Sequence, residues 1–202
     1  MNRLHSFELT VPVTDADHSI GPADAPVTVV EYGDLECPNC KQAAPAVKLL
    51  LRRFTGRIRF VYRHFPLEEV HPHAISAAEA AECAGAQGRF WPMHDLLFEN
   101  QAHLKLHHLR DYAEQLQLDM VRYTLEMNDH VYLQRIREHM QNGLESGVRS
   151  TPTFFVNGKL QDVSFGLSAL FSAVEVVLSK QVIPVSRDVV TAASDGPKYT
   201  QR

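Results

Sequence analysis

The spacing of apolar positions changes along the chain, and each change marks a different kind of structure. Residues 27–32 are rich in β-branched and aromatic side chains and end at Gly33, which is typical of a buried strand followed by a turn. Between residues 40 and 54 apolar side chains recur every three or four positions, which predicts a helix of about four turns. The segment RIRFVYRHFP then alternates and ends at Pro66, so it predicts a second strand. Strand, helix and strand in this order form a βαβ unit with parallel strands.

The middle of the chain has a helical pattern with hardly any strand signal. Residues 73–146 keep the three-to-four spacing, beginning with an alanine-rich segment that favours helix and close packing. After Gly147 the pattern alternates again over residues 153–156, and Asn157-Gly158 predicts a tight hairpin turn to a short partner strand. A final amphipathic helix ends near residue 180, and residues 8–13 are compatible with a further short strand.

These elements predict an α/β protein built around an all-helical insertion. The core would comprise residues 1–66 and 147–180, and the helical insertion residues 67–146. Residues 181–202 are polar and interrupted by proline and glycine, and we interpret them as a C-terminal arm or tail.

Composition and charge narrow the function classes. The chain has 202 residues, 45% of them hydrophobic and 22% charged, with a net charge of −4. This balance disfavours a nucleic-acid-binding face, which requires concentrated basic charge. No window approaches the roughly 18 apolar residues that span a bilayer, and the N-terminus lacks the apolar core of a signal peptide. We therefore expect a cytoplasmic protein with neither nucleic acid nor membrane as a partner.

Cys37 and Cys40 lie where the first strand gives way to the first helix, and three interpretations compete. A structural zinc site needs four ligands, usually in two close pairs, whereas Cys83 stands alone, so we expect no metal. A structural disulfide across this spacing closes too small a loop to stabilise much. A reactive dithiol is favoured. Cys83 is interpreted as a buried core thiol, with a second redox partner as the alternative.

The helix N-terminus gives this dithiol its chemistry. Unpaired backbone N–H groups and the positive end of the helix dipole lower the pKa of a thiol there, from about 8.5 to between about 3.5 and 7.5. Cys37 is therefore predicted to be the attacking thiol and Cys40 the resolving thiol. A stabilised thiolate makes the disulfide form a stronger oxidant, but the contribution of Pro38-Asn39 cannot be derived, so the redox direction stays open.

Two further positions bear on the dithiol. Glu31 precedes Cys37 on the predicted strand, and a buried carboxyl there could relay a proton to or from Cys40; the alternative is a solvated acid at a strand edge. Thr151-Pro152 opens the hairpin. Only about 5% of X-Pro bonds are cis, so physical reasoning alone leaves a simple strand boundary and a cis turn both open.

Four segments together resemble the DsbA-like thiol–disulfide oxidoreductases, over about residues 9–178. They are EYGDLECPNC, VYRHFPL, HPHAISAAEAAECAGAQGRFWPMHDLLFENQ and GVRSTPTFFVNG. The resemblance implies a thioredoxin-like α/β fold with an inserted all-helical domain. It also implies Cys37 as nucleophile, Cys40 as resolving thiol and Glu31 in proton relay.

The same resemblance implies a cis-Pro152 beside the dithiol, with Thr151 offering its backbone to an extended substrate. Pro38 and Asn39 are predicted to contact the substrate as well, although the family usually has Pro-His or Pro-Tyr there. A second departure is the missing export signal, since relatives that oxidise proteins act outside the cytoplasm.

The predicted function is thiol–disulfide exchange through Cys37 and Cys40, without a cofactor. The expected partners are proteins with thiols or disulfides, with glutathione or a thioredoxin-type protein as further candidates. One alternative is a glutathione-dependent isomerase or transferase on the same fold, against which the retained Cys40 counts. The other is a non-catalytic redox or metal-sensing binding module.

Overall fold

The computed structural model describes residues 8–164 and 166–180, which form five strands and seven helices. The strands are β1 His18–Ile20, β2 Val27–Gly33, β3 Ile58–His64, β4 Thr153–Val156 and β5 Lys159–Gln161. The helices are α1 Pro38–Arg53, α2 Ala74–Gly85, α3 Phe90–Glu99, α4 Leu106–Gln115, α5 Met120–Asn128, α6 Leu133–Glu145 and α7 Ser168–Lys180. The predicted C-terminal arm, residues 181–202, lies outside the described residues.

One mixed sheet with the strand order β1-β3-β2-β4-β5 organises the molecule. Strands β2 and β3 are parallel and joined through α1, which confirms the predicted βαβ unit. Strands β4 and β5 form the predicted antiparallel hairpin, with Asn157 and Gly158 at positive φ in its turn. The result is a thioredoxin-like α/β fold in which α2 to α6 lie between β3 and β4. The residue limits of separate core and insertion domains stay a prediction.

Strand β2 lies at the centre of the sheet, and its pairing positions the functional segments. Its C-terminal half pairs antiparallel with the start of β4, where Tyr32 faces Thr153. The turn after β2 and the segment before β4 therefore meet at the same edge of the sheet. Cys37 follows the first of these segments and Pro152 ends the second, so the pairing brings them together although they are far apart in sequence.

Both faces of the sheet are covered by apolar side chains. The larger cluster packs α1, α2, α3 and α7 against one face, with Phe60, Tyr62 and Phe154 contributed by the strands. A smaller cluster under α6 includes Tyr32, Phe65 and Phe155. Helix α6 approaches that face closely because residue 143 is glycine: a Cβ there would lie 2.8 Å from the Phe65 ring.

The N-terminal segment differs from the sequence-based expectation. Residues 8–13 form no strand beyond an isolated bridge between Glu8 and Lys159, and the edge strand is His18–Ile20 instead. The reason is a side chain: the Arg63 guanidinium donates to the carbonyls of Val11 and Pro12 at 2.9 and 3.0 Å, so these backbone groups are satisfied without a ladder. Among the described helices, none has the length and apolar character needed to cross a bilayer.

Candidate active site

The two cysteines of the Cys-x-x-Cys segment occupy the first turn of α1. Cys37 is the N-cap residue in extended conformation, and Pro38 begins the helix, where its missing N–H costs no hydrogen bond. Cys40 lies one turn inward and is fully buried, whereas Cys37 is 4% exposed. Pro38 and Asn39 are both exposed at the surface. No disulfide joins the cysteines here, so the geometry is that of the dithiol form.

Cys37 is an acidic thiol. Its pKa is lowered from 9.0 to about 5, first by a hydrogen bond from the Cys40 thiol, against the opposing effect of burial. The Thr151 side chain and the backbone N–H groups of Cys40 and Asn39 add to the lowering of this pKa. A lowered thiol pKa is expected at a helix N-terminus, but here the neighbouring Cys40 thiol lowers the pKa of Cys37 more than the backbone amides do. Cys37 is therefore a thiolate at neutral pH.

Cys40 has the opposite character. Burial raises its pKa above the usual range, and the hydrogen bond to Cys37 and the charge of Glu31 raise it further. The Asp34 backbone N–H donates to the Cys40 sulfur at 3.5 Å and opposes this shift. One thiol of the pair is thus ionised and able to attack a disulfide, while the other keeps its proton in the interior.

Glu31 lies beneath the dithiol in the central strand β2. It is 4% exposed, and burial followed by the charge of Cys37 raises its pKa to about 8. Its burial excludes the alternative of a solvated acid at a strand edge. Glu31 lines a cavity of about 180 Å³ together with Lys48, His94 and mainly apolar side chains. Near neutral pH Glu31 is mostly protonated, and when it ionises its charge raises the pKa of the Cys40 thiol.

Thr151 and Pro152 lie beside the dithiol, and the peptide bond that joins them is cis. The Cys37 thiol, when protonated, donates to the Thr151 carbonyl at 3.4 Å. The Thr151 hydroxyl is buried and has no hydrogen-bond partner among the described residues, so it is free to donate to the sulfur once Cys37 is ionised. Both residues line a groove of about 870 Å³ that also includes Asn39 and Arg149, whereas Pro38 does not line it.

Sequence reasoning missed the residues that hold the active-site loop in place. The Asp34 carboxylate accepts from the backbone N–H groups of Glu36 and Leu67, both at 2.8 Å, and lies 2.7 Å from Nδ1 of His71. It therefore ties the turn after β2 to the segment that follows β3. The only signal in the sequence was an acidic residue in a turn, which is too common to single out.

Gln101 supports the same loop from the helical part of the molecule. Its side-chain amide donates to the carbonyls of Leu35 and Cys37 at 3.0 and 2.9 Å. Glu36 completes the connection, since its carboxylate accepts from the His73 backbone N–H at the start of α2 at 2.6 Å. Nothing in the local pattern around Gln101 indicated this contact, because the partner lies far away in sequence.

Two other expectations concern metal and Cys83. Within residues 8–164 and 166–180 no group of three or more His, Cys, Asp or Glu side chains is arranged to hold a metal ion. Cys83 is fully buried in α2, and burial raises its pKa to about 12. It has the character of a core thiol.

Comparison with known proteins identifies the family and the fold of the chain. Residues 13–175 match the protein-family model described as thioredoxin, and the chain belongs to that family. Its fold is the one found in solved structures of DsbA-like thiol–disulfide oxidoreductases. Oxidised BdbD from Bacillus subtilis has a TM-score of 0.76 at 23% identity, covering 86% of this chain and 97% of that chain. DsbA2 from Pseudomonas aeruginosa has a TM-score of 0.65 at 25% identity, covering 86% of this chain and 100% of that chain.

More similar sequences are found within much longer proteins. A protein of Salinispora arenicola named Na⁺/H⁺ antiporter NhaA 1 is 53% identical over 169 residues, which are 83% of this chain but 26% of that protein. A protein of Salinispora tropica named Na⁺/H⁺ antiporter NhaA 3 is 49% identical over the same length, again 26% of that protein. The chain thus spans about a quarter of the relatives whose names refer to ion antiport.

Proposed function

We propose that the chain catalyses thiol–disulfide exchange and donates its Cys37–Cys40 disulfide to thiol-containing proteins. The observation that carries this proposal is the contrast within the pair: Cys37 has a pKa of about 5, while the pKa of buried Cys40 is raised. A structural dithiol or a passive binding module has no need of such a contrast, whereas exchange requires one sulfur that leaves easily and one that resolves.

The exchange proceeds in two steps, through a mixed disulfide between Cys37 and the substrate. A substrate thiolate attacks Sγ of Cys37 in the oxidised protein, the Cys37–Cys40 bond breaks, and its electron pair goes to Cys40. Cys40 takes a proton, and Glu31, with its pKa of about 8, is a buried acid able to supply it. A second substrate thiolate then attacks the mixed disulfide, the substrate disulfide forms, and Cys37 leaves as a stabilised thiolate.

The groove beside Cys37 supports a peptide substrate. Thr151 and Pro152 form one wall, and Asn39 and Gln42 of α1 lie on the other side. The groove extends along β5, which gives it room for an extended chain and more space than a single cysteine needs. We propose glutathione or a thioredoxin-type protein as a further partner of the same sulfur, because exchange depends on the attacking thiolate and its access.

Equilibration with glutathione tests the direction of exchange. At pH 7 a thiol with a pKa of about 5 is almost fully ionised, whereas one with the ordinary value of 9.0 is almost fully protonated. This difference favours the reduced protein by about a hundredfold, or roughly 60 mV for a two-electron couple. We expect a reduction potential well above the roughly −270 mV of thioredoxin. A value at or below the thioredoxin value would make the protein a reductant and contradict the proposal.

A further inference from the structure

The hydroxyl of Tyr62 is a buried polar group that the exchange mechanism above does not use. Tyr62 lies on β3 directly beside Glu31 of β2 and is fully buried. Its oxygen has no hydrogen-bond partner among the residues that the structure describes. An unpaired hydroxyl in the interior is unfavourable, and phenylalanine would fill the same space without that cost.

The space for this hydroxyl is made by Gly33 at the end of β2. A Cβ at position 33 would lie 2.4 Å from Cε2 of Tyr62 and 2.7 Å from its oxygen. Only glycine allows the tyrosine to reach this position. The next residue, Asp34, donates its backbone N–H to the Cys40 sulfur at 3.5 Å. The Tyr62 hydroxyl therefore lies against the short segment that contacts the resolving thiol.

The surroundings keep this hydroxyl protonated. Burial raises the pKa of Tyr62 well above its usual value, and among the neighbouring charges that of Cys40 has the largest effect, followed by those of Glu31 and Asp34. The His94 ring packs edge-on against the tyrosine ring, with 4.8 Å between the centroids. Tyr62 is thus a neutral donor without an acceptor, surrounded by groups that carry negative charge during exchange.

We propose that the Tyr62 hydroxyl donates a hydrogen bond to the Cys40 sulfur whenever that sulfur is ionised. This inference rests on the proposed exchange function and adds a residue to it. The Cys40 thiolate arises in both directions of exchange, as the leaving group when the internal disulfide opens and as the attacking group when it closes. In a water-excluded site a positioned donor stabilises such a charge more than solvent could. The tyrosine keeps its own proton throughout.

Reaction with one equivalent of dithiobis(nitrobenzoate) separates the two thiols in time. The Cys37 thiolate attacks the reagent, the reagent disulfide breaks, and one nitrobenzoate thiolate is released. Cys40 then loses its proton to the ionised fraction of Glu31, which passes it to water, and attacks Sγ of Cys37. The Cys37–Cys40 disulfide forms, and the second nitrobenzoate thiolate is released. All proteins carry Cys83→Ala, so that only these two thiols react, and the absorbance of the released thiolate is followed in two phases.

Tyr62→Phe is expected to slow the second phase alone, by about three- to tenfold. Loss of a hydrogen bond to a charged group raises the Cys40 pKa by about one to two units, which lowers its ionised fraction about ten- to a hundredfold. The more basic thiolate attacks about three- to tenfold faster, which recovers part of this loss. The first phase depends on Cys37 and should keep its rate, and the thermal midpoint should be unchanged or higher because an unpaired buried hydroxyl is removed.

Two further variants make the result decisive. Gly33→Ala should also slow the second phase selectively, because its Cβ displaces the hydroxyl. Tyr32→Phe is the matched control: Tyr32 lies on the neighbouring strand, its hydroxyl accepts from Arg63 on the other face of the sheet, and both phases should be unchanged. Equal second phases in Tyr62→Phe and the parent protein would overturn the inference, and so would equal slowing of both phases or slowing in Tyr32→Phe. A parent protein without a second phase would instead contradict the proposed exchange function.

Discussion

Replacing Cys40 with serine is expected to leave the protein covalently attached to its substrate. The Cys37 thiolate still attacks a substrate disulfide, because its position at the N-cap of α1 is unchanged. The mixed disulfide then persists, since a serine hydroxyl is a far weaker nucleophile than a thiolate. We expect turnover of a dithiol substrate to fall by about three orders of magnitude or more. Part of the Cys37 pKa shift should also be lost, because Cys40 is its largest cause.

Mass spectrometry of the protein after incubation with a disulfide-containing peptide measures this trapping. Cys40→Ser should carry one peptide per chain, released by reductant, while the wild-type protein should carry none because Cys40 resolves the mixed disulfide. Cys83→Ser is the control and should behave as the wild type, since Cys83 is fully buried and takes no part in the proposed exchange. Full turnover by Cys40→Ser would show that one thiol suffices, as in the glutathione-dependent alternative.

Replacing Glu31 with glutamine is expected to stabilise the protein at alkaline pH. The pKa of Glu31 is raised from 4.5 to about 8 in the folded protein, so the folded state binds a proton between these values that the unfolded state has released. Folding stability therefore falls as pH rises from about 4.5 to about 8. Complete ionisation costs on the order of 5 kcal/mol, a penalty that glutamine avoids.

Urea unfolding of the reduced proteins at several pH values tests whether Glu31 lowers the folding stability as pH rises. Glu31→Gln and wild type should have similar free energies of unfolding near pH 4 and diverge in favour of the variant towards pH 8. Cys37 acts in the opposite sense, because its lowered pKa stabilises the folded protein as pH rises, but it is present in both proteins and largely cancels in the difference. Glu68→Gln removes an exposed acid and should leave the pH dependence unchanged. A constant difference between Glu31→Gln and wild type at all pH values would mean that Glu31 is not a buried acid.

The elements with strong local patterns were predictable from the sequence. The β-branched and aromatic residues of β2, the three-to-four spacing of α1 and the Asn157-Gly158 turn each indicate the local structure. Packing and turn geometry there follow from residues close together in the chain. Strand β1 was missed because it is three residues long and half-buried, and its place depends on pairing with β3. Only the assembled sheet reveals it.

The site also contains residues that a local pattern predicts and residues that only long-range contacts bring together. Cys37 and Cys40 were found because their chemistry arises within one helical turn. The approach of Thr151 to Cys37 depends on the pairing of Tyr32 with Thr153, which no local pattern contains; only the family resemblance indicated it. Gln101 gave no signal, since its contacts join residues more than sixty positions apart.

The pH dependence of Cys37 alkylation tests the central claim most directly. Iodoacetamide reacts with the thiolate, so the rate rises with the ionised fraction of Cys37, while the buried Cys40 and Cys83 react slowly. The account predicts a rate that is already near its plateau at pH 7, with a midpoint near the Cys37 pKa of about 5. A midpoint near the ordinary thiol value of 9.0 would contradict it.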